Sequence, residues 1–268
     1  MSSGPISKMH VQHTSPVTYS LPMGELEVPI NPLLGQRIKL SFEGQISCVE
    51  CGRKIKETFG QGYCYPCFTR LAAADTCIIK PELCHYAAGT CREPEWGLAN
   101  CMIPTSVYLA NSSTLKVGIT RGLDPRTRWI DQGASQGLLI RVAKDRLESG
   151  QIEVALKEFL ADKTNWRTML KGIPDPMDLA AERDRVLALY AERHPEQPLP
   201  GSDPGQAEQL QIEYPVLEYP DKIRSHNLEK EPVLEGSLMG IKGQYLILDT
   251  AVINMRKYSG FHLSLQGA

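Results

Sequence analysis

The chain has 268 residues, 42% of them hydrophobic, and a formal net charge of −2, enough for one large domain or two to three small ones. That balance excludes a uniformly basic surface. No apolar run approaches the roughly 18 residues that a membrane helix needs, so no membrane partner is expected.

The polar stretch from Met1 to Thr18 lacks the basic start and apolar run of a secretory signal. This points to the cytoplasm, where paired thiols bind metal more often than they form disulfides. Residues 1–20, polar with Gly, Ser and Pro, read as a disordered tail. Residues 21–104 read as an N-terminal hairpin and a cysteine-rich zinc block. The hairpin is suggested by alternation in Arg37-Ile38-Lys39-Leu40-Ser41-Phe42.

All 8 cysteines lie between Cys48 and Cys101. Cys48, Cys51, Cys64 and Cys67 form two Cys-x2-Cys pairs with 12 residues between them, the spacing of a closed tetrahedral Zn2+ site without catalysis at the metal. Such a site is worth roughly 10–16 kcal/mol to folding at neutral pH. Cys77, Cys84, Cys91 and Cys101 follow at irregular intervals, with His85 as a fifth candidate ligand. A second zinc is expected there, and an iron–sulfur cluster or buried free thiols are the alternatives.

Residues 105–172 are the most regular part. Val107–Ala110 and Leu115–Thr120 read as two strands, Asp124-Pro125 as a helix start, Leu138–Val142 as a third strand, and Ser149 as the start of a second helix. The order is ββαβα. In the hairpin the odd positions Val107, Leu109, Leu115, Val117 and Ile119 are all apolar, so an antiparallel register that buries one face pairs odd with odd. Tyr108 and Lys116 then share the other face with Gly118. This stretch holds 11 Lys and Arg against 7 Asp and Glu, an excess able to face an anion.

Residues 173–205 carry an acidic helix, from Asp175-Pro176 to about His194, and a Pro/Gly linker. Residues 206–268 read as a β-rich C-terminal unit. It is expected to pair with residues 25–47, since neither has enough strands alone. The fold class is therefore α+β: a zinc-ribbon-like block, a ββαβα core, a helical linker and a small β-rich unit.

Three pieces of the core, Val107-Tyr108-Leu109, Lys116-Val117-Gly118-Ile119-Thr120 and Asp124-Pro125-Arg126-Thr127-Arg128, resemble the GIY-YIG nuclease superfamily. The resemblance is closest to its relatives whose second strand reads Lys-Ile-Gly-x-Thr, and it covers about a quarter of the chain. It implies a nucleic-acid partner, DNA or RNA, and phosphodiester cleavage with Mg2+ or Mn2+. Tyr108 matches the first-strand tyrosine, Arg128 the helix arginine with Arg126 as rival, Glu153 the metal-binding glutamate, and Asn165 the late asparagine. Lys116 replaces the second-strand tyrosine, and a lysine becomes a base only if burial or neighbouring charge depresses its pKa. The whole chain also resembles an uncharacterised bacterial family that joins a cysteine-rich front half to this core.

Each of these residues has a plain alternative. Tyr108 can be a strand-face aromatic, Lys116 an edge charge, Arg126 and Arg128 exposed-helix charges, Glu153 an i, i+4 partner of Lys157, and Asn165 a helix cap. Lys54 and Arg70, interleaved with Tyr63, Tyr65 and Phe68, are further nucleic-acid candidates around the knuckles. Competing functions are a non-enzymatic zinc adaptor that binds protein and a redox or metal sensor using the second cysteine set.

Overall fold

The alternation that begins at Arg37 continues to Ser47 as one 11-residue strand in a computed structural model that describes residues 2–160 and 165–267. Residues 161–164, inside the expected 105–172 core, lie outside the described residues. The chain divides into two units: Met1–Thr69 with Leu170–Gly172 and Glu213–Ala268, and Arg70–Met169 with Ile173–Ile212. It is an α+β chain with several antiparallel sheets.

In the first unit, Arg37–Ser47 is the middle strand. Val233–Lys242 pairs with it on one side, Leu234 opposite Leu40, and Phe261–Gly267 on the other, Leu265 opposite Leu40. Ser2–Pro5 adds an outer strand beside Phe261–Gly267, while Tyr245–Leu248 and Val252–Asn254 extend the opposite side. Leu40, Leu234, Leu238, Leu263 and Leu265 are all buried, so the sheet owns an apolar core.

Residues 1–20 do not form the expected disordered tail. Beyond Ser2–Pro5, the strands His10–Gln12, Thr18–Met23 and Leu26–Pro29 form a three-stranded sheet. Thr18–Met23 buries Tyr19, Leu21 and Met23 and turns Thr18, Ser20 and Pro22 outward. Half the strand is polar because half of it faces out. Gln244 clamps the preceding turn, accepting from the Met9 N–H at 2.7 Å and donating to the Met9 carbonyl at 3.0 Å.

In the second unit, Thr105–Asn111 and Leu115–Arg121 form an antiparallel hairpin with Val107 opposite Ile119 and Leu109 opposite Val117. The helix Arg126–Asp131, the strand Gln136–Ala143 and the helix Arg146–Lys157 follow, giving the order ββαβα. The second helix starts at Arg146 rather than Ser149, because Asp145 is the cap and accepts from the Glu148 N–H at 2.8 Å. Val107, Leu109, Leu115 and Val117 pack with Leu138, Ile140, Ile152 and Leu156 in one core.

Two expected boundaries move. The expected helix in 173–205 forms as Leu179–Arg193, capped by Asp178, but it packs rather than links: Leu179, Val186 and Tyr190 are buried in that same core. Its acidic composition describes only the outer face. Residues 70–104 leave the zinc block and join the ββαβα unit. Gly150 permits this, since a Cβ there would lie 2.4 Å from the Glu82 nitrogen and 2.7 Å from Pro81.

Candidate functional site

Between residues 48 and 69 only Cys48, Gly62, Cys64 and Cys67 are buried, so this segment has no apolar core of its own. The sulfurs of Cys48, Cys51, Cys64 and Cys67 all lie within 4.8 Å of one another, with Cys51 and Cys64 at 3.8 Å. A zinc ion with four sulfurs about 2.3 Å away has tetrahedral edges of about 3.8 Å. Burial pushes the Cys48 thiol up, but the backbone N–H groups of Cys51, Cys64 and Glu50 outweigh it and bring the thiol down to about 6. The sulfur is then a thiolate at neutral pH, ready to ligate.

The first knuckle closes through the Gly52 N–H, which donates to the Cys48 carbonyl at 2.9 Å. Gly52 has φ +70°, a left-handed conformation that a side chain would strain. The second knuckle runs into the helix Tyr65–Arg70. This set can hold a metal ion such as zinc, and four protein ligands leave no open position for catalysis.

Of the neighbouring aromatics, Phe59 packs on Tyr65 at 5.3 Å and on Phe68 at 6.1 Å. Lys54 is exposed on the short strand Lys54–Ile55. Arg70 is exposed and forms an ion pair with Glu93 at 3.7 Å.

The hairpin register sets Tyr108 opposite Gly118 and Ala110 opposite Lys116. Tyr108 is fully buried; its ring lies across Gly118 and meets Trp129 edge-on at 5.9 Å. A Cβ on Gly118 would sit 2.6 Å from the phenol oxygen. Gly118→Ala is therefore expected to cost about 1–3 kcal/mol by overpacking, read as a lowered Tm. An unchanged Tm would show that the ring has room to shift.

Gln132 Nε2 donates to the Tyr108 hydroxyl, and Arg128 bonds to it as well. Burial raises the phenol pKa above its ordinary value, so Tyr108 is a neutral phenol at pH 7. Burial, and then the Arg128 charge, pull the Lys116 ammonium down to about 8, with Glu153 opposing. Burial pushes the Glu153 carboxyl up, opposed by Lys157 at 3.4 Å and by Arg128, while Glu82 adds to the rise. Four side chains from four elements thus converge, with Arg128 and Glu153 each shifting the ionisation of Tyr108 and Lys116.

Arg126 is not among them. Its guanidinium turns to Asp124, Nη2 to Oδ2 at 2.6 Å, on the exposed face. Asn165 caps the helix Trp166–Met169, its Oδ1 accepting from the Arg167 N–H at 3.0 Å. Among the described residues, no group of three metal-ligand atoms includes Glu153, and its carboxylate is engaged by Lys157.

Cys77, Cys84, His85, Cys91 and Cys101 line one small pocket that opens to solvent. Burial, then Asp75 and the other three thiols, push the Cys77 thiol up to about 11. Burial also raises Cys101, which Arg121 and Arg146 oppose. The donor atoms of Asp75, Cys77 and His85 lie within 4.8 Å of one another. Arg92 holds the Asp75 carboxylate at 2.7 Å, and His85 Nδ1 meets Thr90 Oγ1 at 2.8 Å.

Residues 35–263 match the family described as Protein of unknown function (DUF2797). The chain belongs to that family. No match was found among curated proteins or among solved structures. The DUF2797 match begins just before the strand Arg37–Ser47 and ends inside Phe261–Gly267, so it takes in both cysteine sets and the ββαβα core.

Several residues of this DUF2797 chain carry no signal in its sequence. Gln132 reaches Tyr108 from just past the helix Arg126–Asp131, and Glu82 reaches toward Glu153 from the cysteine-rich segment. Arg121 and Arg146 meet at Cys101 from the ends of a strand and a helix. The Tyr108–Gly118 contact is the exception, since the odd-with-odd register sets two even positions opposite one another.

Proposed function

We propose that this protein binds nucleic acid through its phosphodiester backbone, at a pocket made by Lys116, Arg128, Tyr108 and Glu153 on a GIY-YIG-like core. What supports this reading is the convergence of Lys116 and Arg128, two cations from separate elements, beside a neutral phenol and a carboxylate. An arginine fork and an ammonium are the pair that grips a phosphate oxygen. Tyr108, un-ionised and fully buried, holds Arg128 and Gln132 in place rather than acting as a base.

Cleavage is the further step of the same reading. A lysine depressed to about 8 is neutral in an appreciable fraction of molecules near pH 7–8. Its free amine can take the proton of a water that attacks phosphorus, while the P–O bond to the leaving oxygen breaks and that oxygen takes a proton from solvent.

The test incubates wild type and Glu153→Ala with DNA and RNA, with Mg2+, Mn2+ or chelator. Binding is expected to weaken steeply as salt rises. Cleavage by wild type and not by the variant supports catalysis; binding without cleavage by either leaves a binding module. No salt-dependent binding to either nucleic acid rejects the proposal. That outcome favours the adaptor reading, whose specific support is the exposure of Ile79, Leu83 and Leu98 on the segment 76–100.

A further inference from the structure

We infer that Cys77, Cys84, Cys91 and Cys101 hold an iron–sulfur cluster, a metal centre different in kind from the Cys48 site and independent of the nucleic-acid reading. Spacing is the first reason. The Cys48 set gathers its four sulfurs within 4.8 Å of one another, as a single ion demands. The second set rings one cavity, yet among the described residues no three of its sulfurs lie within 4.8 Å of one another. The four sulfurs are thus not gathered around one point, as a single zinc about 2.3 Å from each would require. Several irons bridged by sulfide can, and four cysteines are their usual ligands.

The wall of the cavity is the second reason. Ala72, Ile78 and Trp96 give it an apolar side. Gly97 lets the Cys91 sulfur approach the helix Pro94–Asn100, since a Cβ there would lie 3.0 Å from it. Charge is the third. A cluster held by four thiolates is anionic and needs donors and cations around its sulfurs. Arg146 is 9% exposed, its Nε has no hydrogen-bond partner, and with Arg121 it faces Cys101.

The competing site is a single zinc on Asp75, Cys77 and His85. It would draw on one of the four cysteines and share the Asp75 carboxylate, whose Oδ2 already accepts from Arg92 at 2.7 Å. Arg121 ends the strand that carries Lys116, and Arg146 starts the helix that carries Glu153. A filled cavity therefore braces both.

The full chain is purified without oxygen, reconstituted with ferrous iron and sulfide, and analysed for iron, acid-labile sulfide and zinc. Wild type is compared with Cys84→Ser/Cys91→Ser and with Cys51→Ser. The expected result is iron with sulfide in addition to one zinc, and a visible thiolate-to-iron absorption band. The double variant should lose iron and band but keep zinc; Cys51→Ser should do the reverse. Two zinc ions and no iron, or one zinc with free thiols at the second set, overturns the assignment. Because a variant can misfold, Mössbauer spectra of the wild-type protein provide a second reading. Iron in all-sulfur tetrahedral sites supports the cluster, and iron bound through nitrogen and oxygen overturns it.

Discussion

Replacing Cys64 by serine, or stripping metal from the Cys48, Cys51, Cys64 and Cys67 site with a chelator, is expected to unfold residues 48–69 and leave the neighbouring sheet folded. The segment buries three of its ligands and Gly62, and nothing else. Its elements, the two-residue strand Lys54–Ile55 and the six-residue helix Tyr65–Arg70, are too short to persist alone. A structural zinc worth roughly 10–16 kcal/mol at neutral pH is what remains to order them.

The strand Arg37–Ser47 ends beside Cys48 but is paired on both edges and packed through Leu40, Leu234 and Leu265. Its amides should stay protected. Hydrogen exchange reads the contrast directly. The Phe59 and Tyr63 amides, bonded to each other's carbonyls at 2.8 and 3.1 Å, should lose protection while the sheet keeps it. Protection at Phe59 and Tyr63 that survives chelation would show the block to be held by something other than metal.

The parts of this molecule that were legible in the sequence are those whose physics is local. The Cys48 set declares itself because a tetrahedral ion needs two tight turns, and the ligand spacing is the turn. The hairpin register is equally local, since apolar residues at five odd positions leave one way to bury them. Thr18–Met23 was opaque because its alternation is built from Tyr, Leu and Met against Thr, Ser and Pro, which averages to a polar stretch. The helix Leu179–Arg193 showed its apolar line but not its partner, the core around Ile152 and Leu156.

At the candidate site the unreadable part is what comes from elsewhere. Arg126 and Arg128 stand two residues apart, and only the Asp124 carboxylate decides which one is taken. Whether Lys116 is an edge charge or a titrating group depends on burial beside Arg128, a neighbour supplied by a different element. The wide ring of cysteines around one cavity is likewise a product of the fold, not of spacing.

Raising the pH through about 8 is expected to move the stability of the second unit and its affinity for nucleic acid in opposite directions. Burial and Arg128 hold the Lys116 ammonium down at about 8, against an ordinary 10.5. Below pH 8 the folded protein carries a buried cation that the unfolded chain hydrates freely, and this costs stability. Between pH 8 and 10.5 the folded state has released that proton and the unfolded state has not. Stability from this group therefore rises across that window, by about 3 kcal/mol at most.

On the proposed reading, phosphate binding follows the charge and so is lost over the same rise. A charge-assisted contact worth about 1.5–3 kcal/mol corresponds to a roughly tenfold to hundredfold weaker affinity. Lys242, in the first unit, is also held down to about 8 by burial and contributes stability of the same sign there, so a whole-chain pH profile of wild type alone does not isolate Lys116. Lys116→Met does. The variant should bind nucleic acid roughly as weakly at pH 7 as wild type does above pH 9, with a flat affinity profile. Its stability curve should keep only the Lys242 rise. A variant that binds as tightly as wild type, with the same pH dependence, would place the phosphate contact elsewhere and leave Lys116 as a buried charge that this fold tolerates.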